Sequence, residues 1–202
     1  MRDFLDALAS SAPTPGGGGA SALIASIGCC LCSMVANLTT GKKKYAEYQD
    51  KIDEYIDKLK KHNEVLLADI DKDAEAFKPL AAAYSMDKST PDYDRIMEEA
   101  TYNAAMAPLE IARDIYALVP IAEDLAVMGS RLAISDVAVA AAAIRAALEG
   151  VVMNVYINTR SMKDTGTAQR LNSEAEHMVK DGCARLDKVY ADIKSTMLIL
   201  GE

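Results

Sequence analysis

The chain has 202 residues, with 22 Lys and Arg against 30 Asp and Glu and a net charge of −8. Half of it is hydrophobic, only 5% is aromatic and Trp is absent. That is too apolar for a disordered chain and too acidic overall for a surface that tracks nucleic-acid phosphates. Four Cys do not make a disulfide scaffold, and the length suits a single domain, 1–202.

In chain order, Met1-Arg2-Asp3-Phe4-Leu5-Asp6 carries acids where a secretory leader needs an apolar core, so a cytoplasmic protein is expected. A short helix over 3–10 leads to a loop, Ser11 to Gly18. A helix is predicted over 19–40, ending near Gly41. No charge falls between Ala7 and Gly41, and Gly19 to Leu38 is long enough to cross a bilayer. Its large residues, Leu23, Ile24, Ile27, Leu31, Met34, Val35 and Leu38, form one stripe. Small residues fill the other face. This predicts a buried helix with one close-packing face rather than a membrane span. Cys29, Cys30 and Cys32 on it lack zinc-ligand spacing, and His62 and His177 lack ligand-type neighbours. The cysteines are read as packing residues, and no metal is expected.

The next helix spans about 46–85, with Pro79 expected to kink it. Ser89-Thr90-Pro91 resembles a cap with Pro in the first turn, opening a helix over 91–118 that Pro108 kinks or breaks. A short helix runs from Pro120 to about Met128. Gly129 to Ile134 is a connection. A long Ala-rich helix covers Ser135 to about Ser161. After the turn Asp164-Thr165-Gly166, a helix over 167–199 closes an all-α bundle of about five long helices. Ala-rich helices each bury little area, so a homodimer is expected.

Four groups of residues could carry chemistry. Pro13-Thr14-Pro15-Gly16-Gly17-Gly18-Gly19 opens directly into a helix, where stiff prolines, permissive glycines and free N–H groups suit anion or ligand contact. The plain alternative is a flexible surface loop. Asp73 lies about 60° from Ile70 on a helical wheel of about 100° per residue, at the edge of the core stripe. A carboxylate there is costly unless paired or used, and burial raises its pKa toward proton transfer; a structural ion pair is the alternative. Lys42, Lys43 and Lys44 follow a helix C-terminus, suiting either the helix dipole or an anionic substrate. On the long helix, Asp136, Ala140, Ala143, Ala147, Gly150, Asn154 and Asn158 share one line. This is a groove of small residues with polar ends. Asp136 and Asn154 are about 27 Å apart along it, too far for one small site within a subunit.

These motifs together resemble a known family. Ser11-Ala12-Pro13-Thr14-Pro15-Gly16-Gly17-Gly18, the run Ser33 to Tyr45, Asp73-Ala74-Glu75-Ala76-Phe77, Ile134-Ser135-Asp136-Val137 and Asn154-Val155-Tyr156-Ile157-Asn158 are similar to the formiminotetrahydrofolate cyclodeaminase and methenyltetrahydrofolate cyclohydrolase family. Gly19-Ala20 and Gly129-Ser130 depart from its pattern. The resemblance implies an all-helical cytoplasmic homodimer acting on a tetrahydrofolate derivative, with no cofactor beyond that substrate and no membrane or nucleic-acid partner. It implies Asp73 and Lys44 as catalytic residues. It implies Pro15, Gly16, Gly17, Gly18, Asn37, Lys42, Lys43, Asp136, Asn154 and Asn158 as substrate contacts. Methenyl hydrolysis is the first expected activity. Formimino deamination is the second, and a non-catalytic folate-binding dimer the third.

Overall fold

Two helices rich in Ala, Gly and Ser form the centre of the bundle, and side-chain size explains why. The structure is a computed structural model describing residues 1–198. Among them are seven α-helices and no strand. α1 (Arg2–Leu8) precedes α2 (Gly17–Asn37), and a 3-10 turn, Lys43–Tyr48, leads into α3 (Gln49–Tyr84). α4 (Tyr93–Tyr116) and α5 (Val119–Met128) follow; a second 3-10 turn, Arg131–Ala133, opens α6 (Ile134–Thr159), and α7 (Thr165–Leu198) closes the described chain.

α2 and α6 lie antiparallel, because Gly17 meets Asn154, Gly150 meets Ser21, and Gly28 meets Ala140, Ala143 and Ile144. The contact is set by missing side chains. A Cβ on Gly28 would come within 2.7 Å of Ile144 Cγ1, and one on Gly150 within 2.8 Å of Ser21 Oγ. Overpacking of that kind costs about 1–3 kcal/mol. The groove expected along Ala140, Ala143, Ala147 and Gly150 is thus occupied by α2. α3, α4 and α7 surround this pair and supply the bulk. Leu59, Leu66, Leu109, Ile115, Ile144, Leu148 and Leu186 are fully buried, each worth about 2 kcal/mol of apolar burial.

Burial of α2 is one-sided, with the expected close-packing face turned inward. Its small face is inside, through Gly18, Ser21, Ala22, Ala25, Gly28, Cys29 and Cys32. Much of its bulky stripe is outside: Ile24, Ile27, Met34 and Leu38 are exposed, while Val35 is buried. Close approach to α6 selects the small side, and four of the large residues are left on the surface. Val139, Met153 and Ile157 of α6 are exposed as well. α2 is the one described helix with the length and hydropathy of a membrane span. Burial raises the Cys29 and Cys32 thiols to about 12, which suits packing rather than reactivity.

Several boundaries differ from the sequence-based expectation. α2 begins two residues earlier, with Gly16 at the N-cap, so three of the four glycines form its first turn. It ends at Asn37, and Gly41 takes its positive φ of 72° in the following turn. α4 is entered through Asp92 at φ 63° rather than through Thr90-Pro91. α3 and α4 run through Pro79 and Pro108 without a break. Residue 199, the expected end of the last helix, lies outside the described residues.

Candidate active site

The N-terminus of α2 has no acceptors of its own for its first N–H groups. Gly16, its N-cap, offers no side chain, and the acceptor comes from another helix. Asp73 of α3 reaches across, and the Gly19 N–H donates to its Oδ2 at 3.0 Å. A negative group at this end of a helix is favoured by the macrodipole. Only glycine fits the approach. A Cβ on Gly18 would lie 2.6 Å from Asp73 Oδ2 and 2.5 Å from its Cγ.

Asp73 is half-buried, and desolvation pushes its pKa above the usual carboxylate range, opposed by the Gly19 N–H. The structural alternative foreseen for it, a lysine ion pair, is not what holds it. Backbone capping takes Oδ2, and no salt bridge to Asp73 occurs among the described residues. The carboxylate borders a small cleft of about 150 Å³. Pro13, Thr14, Gly16 and Gly17 form one wall, Phe77 stands beside Asp73, and Ala104, Asn154, Ile157 and Asn158 form the other wall. Asn154 donates to Gly150 O at 3.2 Å, and Asn158 donates to Ala104 O at 2.7 Å and to Asn154 O at 2.9 Å. Pro15 packs behind Gly19, its Cβ 3.7 Å from where a side chain would start. One cleft therefore joins Gly16, Gly17, Asp73, Asn154 and Asn158, with Gly18 seating the carboxylate.

The remaining candidates lie elsewhere. Lys42, Lys43 and Lys44 sit in and before the 3-10 turn beyond the far end of α2. The 21 residues of α2 at about 1.5 Å each put them about 30 Å from the glycine turn. Lys44 and Asp73 therefore do not share a site within one subunit. Asp136, in the first turn of α6, and Asn37, in the last turn of α2, belong to this far pole too. Asn37 donates to Ser33 O at 2.8 Å.

The far pole has an order of its own. Thr39 is buried and accepts from the Ser130 N–H at 2.8 Å, while the Arg131 N–H donates to Tyr45 Oη at 3.0 Å. That donation, with help from Lys44 and Lys42, lowers the Tyr45 phenol. Lys42, Lys43, Lys44 and Arg131 bring four cations to this pole of a protein of net charge −8, beside Asp136. A larger cavity, about 590 Å³, lies near this end between α5, α6 and α7. Arg185 is paired there with Glu123 and Asp181, and Lys188 with Asp192 at 2.5 Å, while Arg131 has no carboxylate partner among the described residues. Both carboxylates of its lining, Glu123 and Asp192, are held by cations, whereas Asp73 has none, so the small cleft is the better site.

Asp69 is the buried carboxylate of α3; its Oδ1 accepts from Lys72 Nζ at 2.8 Å, and its Oδ2 lacks a hydrogen-bond partner among the described residues. It faces α4, where its charge helps raise Asp114 behind the desolvation of that group. Asp69 therefore stands apart from the cleft.

Comparison with known proteins follows this geometry. The family described as "Formiminotransferase-cyclodeaminase" matches residues 1–177. A protein of Methylorubrum extorquens named methenyltetrahydrofolate cyclohydrolase is 36% identical over 199 residues, 96% of each chain. A Rattus norvegicus formimidoyltransferase-cyclodeaminase is 30% identical over 168 residues, 81% of this chain and 31% of that one. The chain thus spans about a third of the rat protein and nearly all of the bacterial one. The crystal structure of a Thermotoga maritima formiminotetrahydrofolate cyclodeaminase superposes with a TM-score of 0.84 at 28% identity, covering 96% of both chains.

Proposed function

Because the chain belongs to the formiminotransferase-cyclodeaminase family, we propose that it hydrolyses 5,10-methenyltetrahydrofolate to 10-formyltetrahydrofolate at the Asp73 cleft. The observation that carries this reading is the seat of Asp73: one oxygen held by the Gly19 N–H, the carboxylate half-buried on a cleft with Asn154 and Asn158 opposite. The full-length likeness to the Methylorubrum cyclohydrolase favours hydrolysis over the alternatives.

The chemistry suits the groups present. The substrate carries an amidinium-like cation across its bridging carbon. A fixed carboxylate stabilises that charge and accepts a proton as water adds to the carbon. The tetrahedral adduct then collapses. The bond from carbon to N5 breaks, N5 takes a proton, and the formyl group stays on N10. A general base in this role contributes about 10²–10⁴ in rate. Asn154 and Asn158 orient the pterin, and Gly16 and Gly17 let it approach the backbone. The scheme needs no cofactor beyond the folate.

Lys42 to Lys44 enter through a homodimer. The exposed stripe of Ile24, Ile27, Met34 and Leu38, beside Val139, Met153 and Ile157, supplies an apolar face for a second copy. A two-fold axis across the middle of α2 sets the Asp73 end of one subunit against the lysine end of the other. Lys44 of the partner subunit then serves the leaving nitrogen, with the partner's Lys42 and Lys43 on the folate carboxylates. Asn37 and Asp136 join the site by the same route. This reading places the protein in the cytoplasm, without membrane or nucleic-acid partners.

Formimino deamination is the second reading, favoured by the likeness to the Thermotoga cyclodeaminase. The same carboxylate assists ring closure and loss of ammonia. The test is direct: purified protein with methenyltetrahydrofolate, followed by near-ultraviolet absorbance, and with formiminotetrahydrofolate, followed by ammonia release. Loss of methenyl absorbance above the buffer rate supports hydrolysis. Ammonia release alone supports deamination. Ligand binding without either reaction supports a non-catalytic folate-binding dimer.

A further inference from the structure

Pro108 is buried inside α4, where a proline is costly. Having no N–H, it leaves the carbonyl of the residue four positions earlier, Ala104, without its helical donor. The structure fills that vacancy from another helix. Asn158 Nδ2 donates to Ala104 O at 2.7 Å, and its second proton goes to Asn154 O at 2.9 Å. Both partners are carbonyls, which only accept, so the amide orientation is fixed: the nitrogen meets the two carbonyls, and Oδ1 is left as the acceptor end. Ala104 and Asn158 both line that cleft beside Asp73.

We propose that Pro108 is a positioning residue, which frees the Ala104 carbonyl to lock Asn158 so that its Oδ1 faces the cleft as an acceptor only. An acceptor-only group selects a donor. In the tetrahydropterin ring the donors are the ring N–H groups and the exocyclic amine, so Asn158 reads one of these and rejects an analogue carrying an acceptor there. This rests on the folate reading above. The proline's cost in the helix is offset by a fixed side chain at the site.

The test is a double-mutant cycle of Pro108→Ala and Asn158→Ala, with wild-type turnover measured first. Asn158→Ala should raise KM about tenfold, the size of one lost hydrogen bond, with kcat changed far less. Pro108→Ala restores the backbone donor, so it should raise Tm while also raising KM. In the Asn158→Ala background it should leave KM unchanged. Additive effects on KM would overturn the proposal. A second readout needs no substrate: slow hydrogen exchange of the Asn158 side-chain amide, seen by selective ¹⁵N labelling, should quicken in Pro108→Ala. Equal exchange in the two proteins would overturn the proposal as well. An inactive wild-type protein would sink the folate reading alone, and the exchange measurement would still decide the role of Pro108.

Discussion

Gly18→Ala adds a single methyl group where the structure has no room for one. The new Cβ would lie 2.6 Å from Asp73 Oδ2 and 2.5 Å from Cγ, against ordinary contact from 3.4 Å upward. Relief requires the carboxylate to move by about 1 Å, which is enough to cost about 10²-fold in a reaction that depends on position. Stability should change much less. Alanine favours the helix over glycine by about 0.5–1 kcal/mol, while weakening the Gly19 N–H bond to a charged acceptor costs about 1.5–3 kcal/mol. The net is a loss of about 0.5–2.5 kcal/mol, and the chain stays folded. Thermal melting by circular dichroism and kcat/KM on methenyltetrahydrofolate measure the two effects separately. A variant that melts normally and keeps wild-type kcat/KM would show that the seat of Asp73 is irrelevant to turnover.

Asp73→Asn should abolish activity yet stabilise the fold at neutral pH. Burial raises the pKa of Asp73 in the folded state, so the ionised form destabilises the fold above that pKa. The variant's advantage in Tm should therefore shrink as pH falls, and vanish near the ordinary carboxylate value of 3.8; an advantage that persists there would contradict the burial argument. Ile27→Glu should convert the proposed dimer to a folded, inactive monomer, read by sedimentation. An unchanged dimer would mean that the outer stripe of α2 is not the interface. Mixed dimers of Asp73→Asn and Lys44→Met chains, each inactive alone, should recover up to about half of wild-type activity, because one of two shared sites is intact. No recovery in verified heterodimers would return the lysines to a surface role.

Much of this fold was legible because helical periodicity is strong and strand-like alternation is nearly absent. The elements were limited by caps. Gly16 offers no side chain to mark a helix start, and Asp92 enters α4 in a left-handed conformation that no short motif announced. Asp73 could be found because an acid at the edge of an apolar stripe is conspicuous. Its partner could not, because Gly19 contributes only a backbone N–H from 54 residues away. The burial of Asp69 was not readable, since it depends on α4, a tertiary neighbour. The orientation of α2 was only half readable. Its two faces were plain, but which one turned inward depended on the facing small residues of α6. The distance from Asp136 to Asn154 already forbade one site in one chain, and α2 extends the same argument to Lys44 and Asp73.

The most direct test of the account is the structure of the protein with a tetrahydrofolate derivative bound. The account predicts the one-carbon bridge within hydrogen-bond reach of Asp73, with the pterin against Asn154 and Asn158. The folate seated instead in the cavity between α5 and α7, with the Asp73 cleft empty, would contradict it.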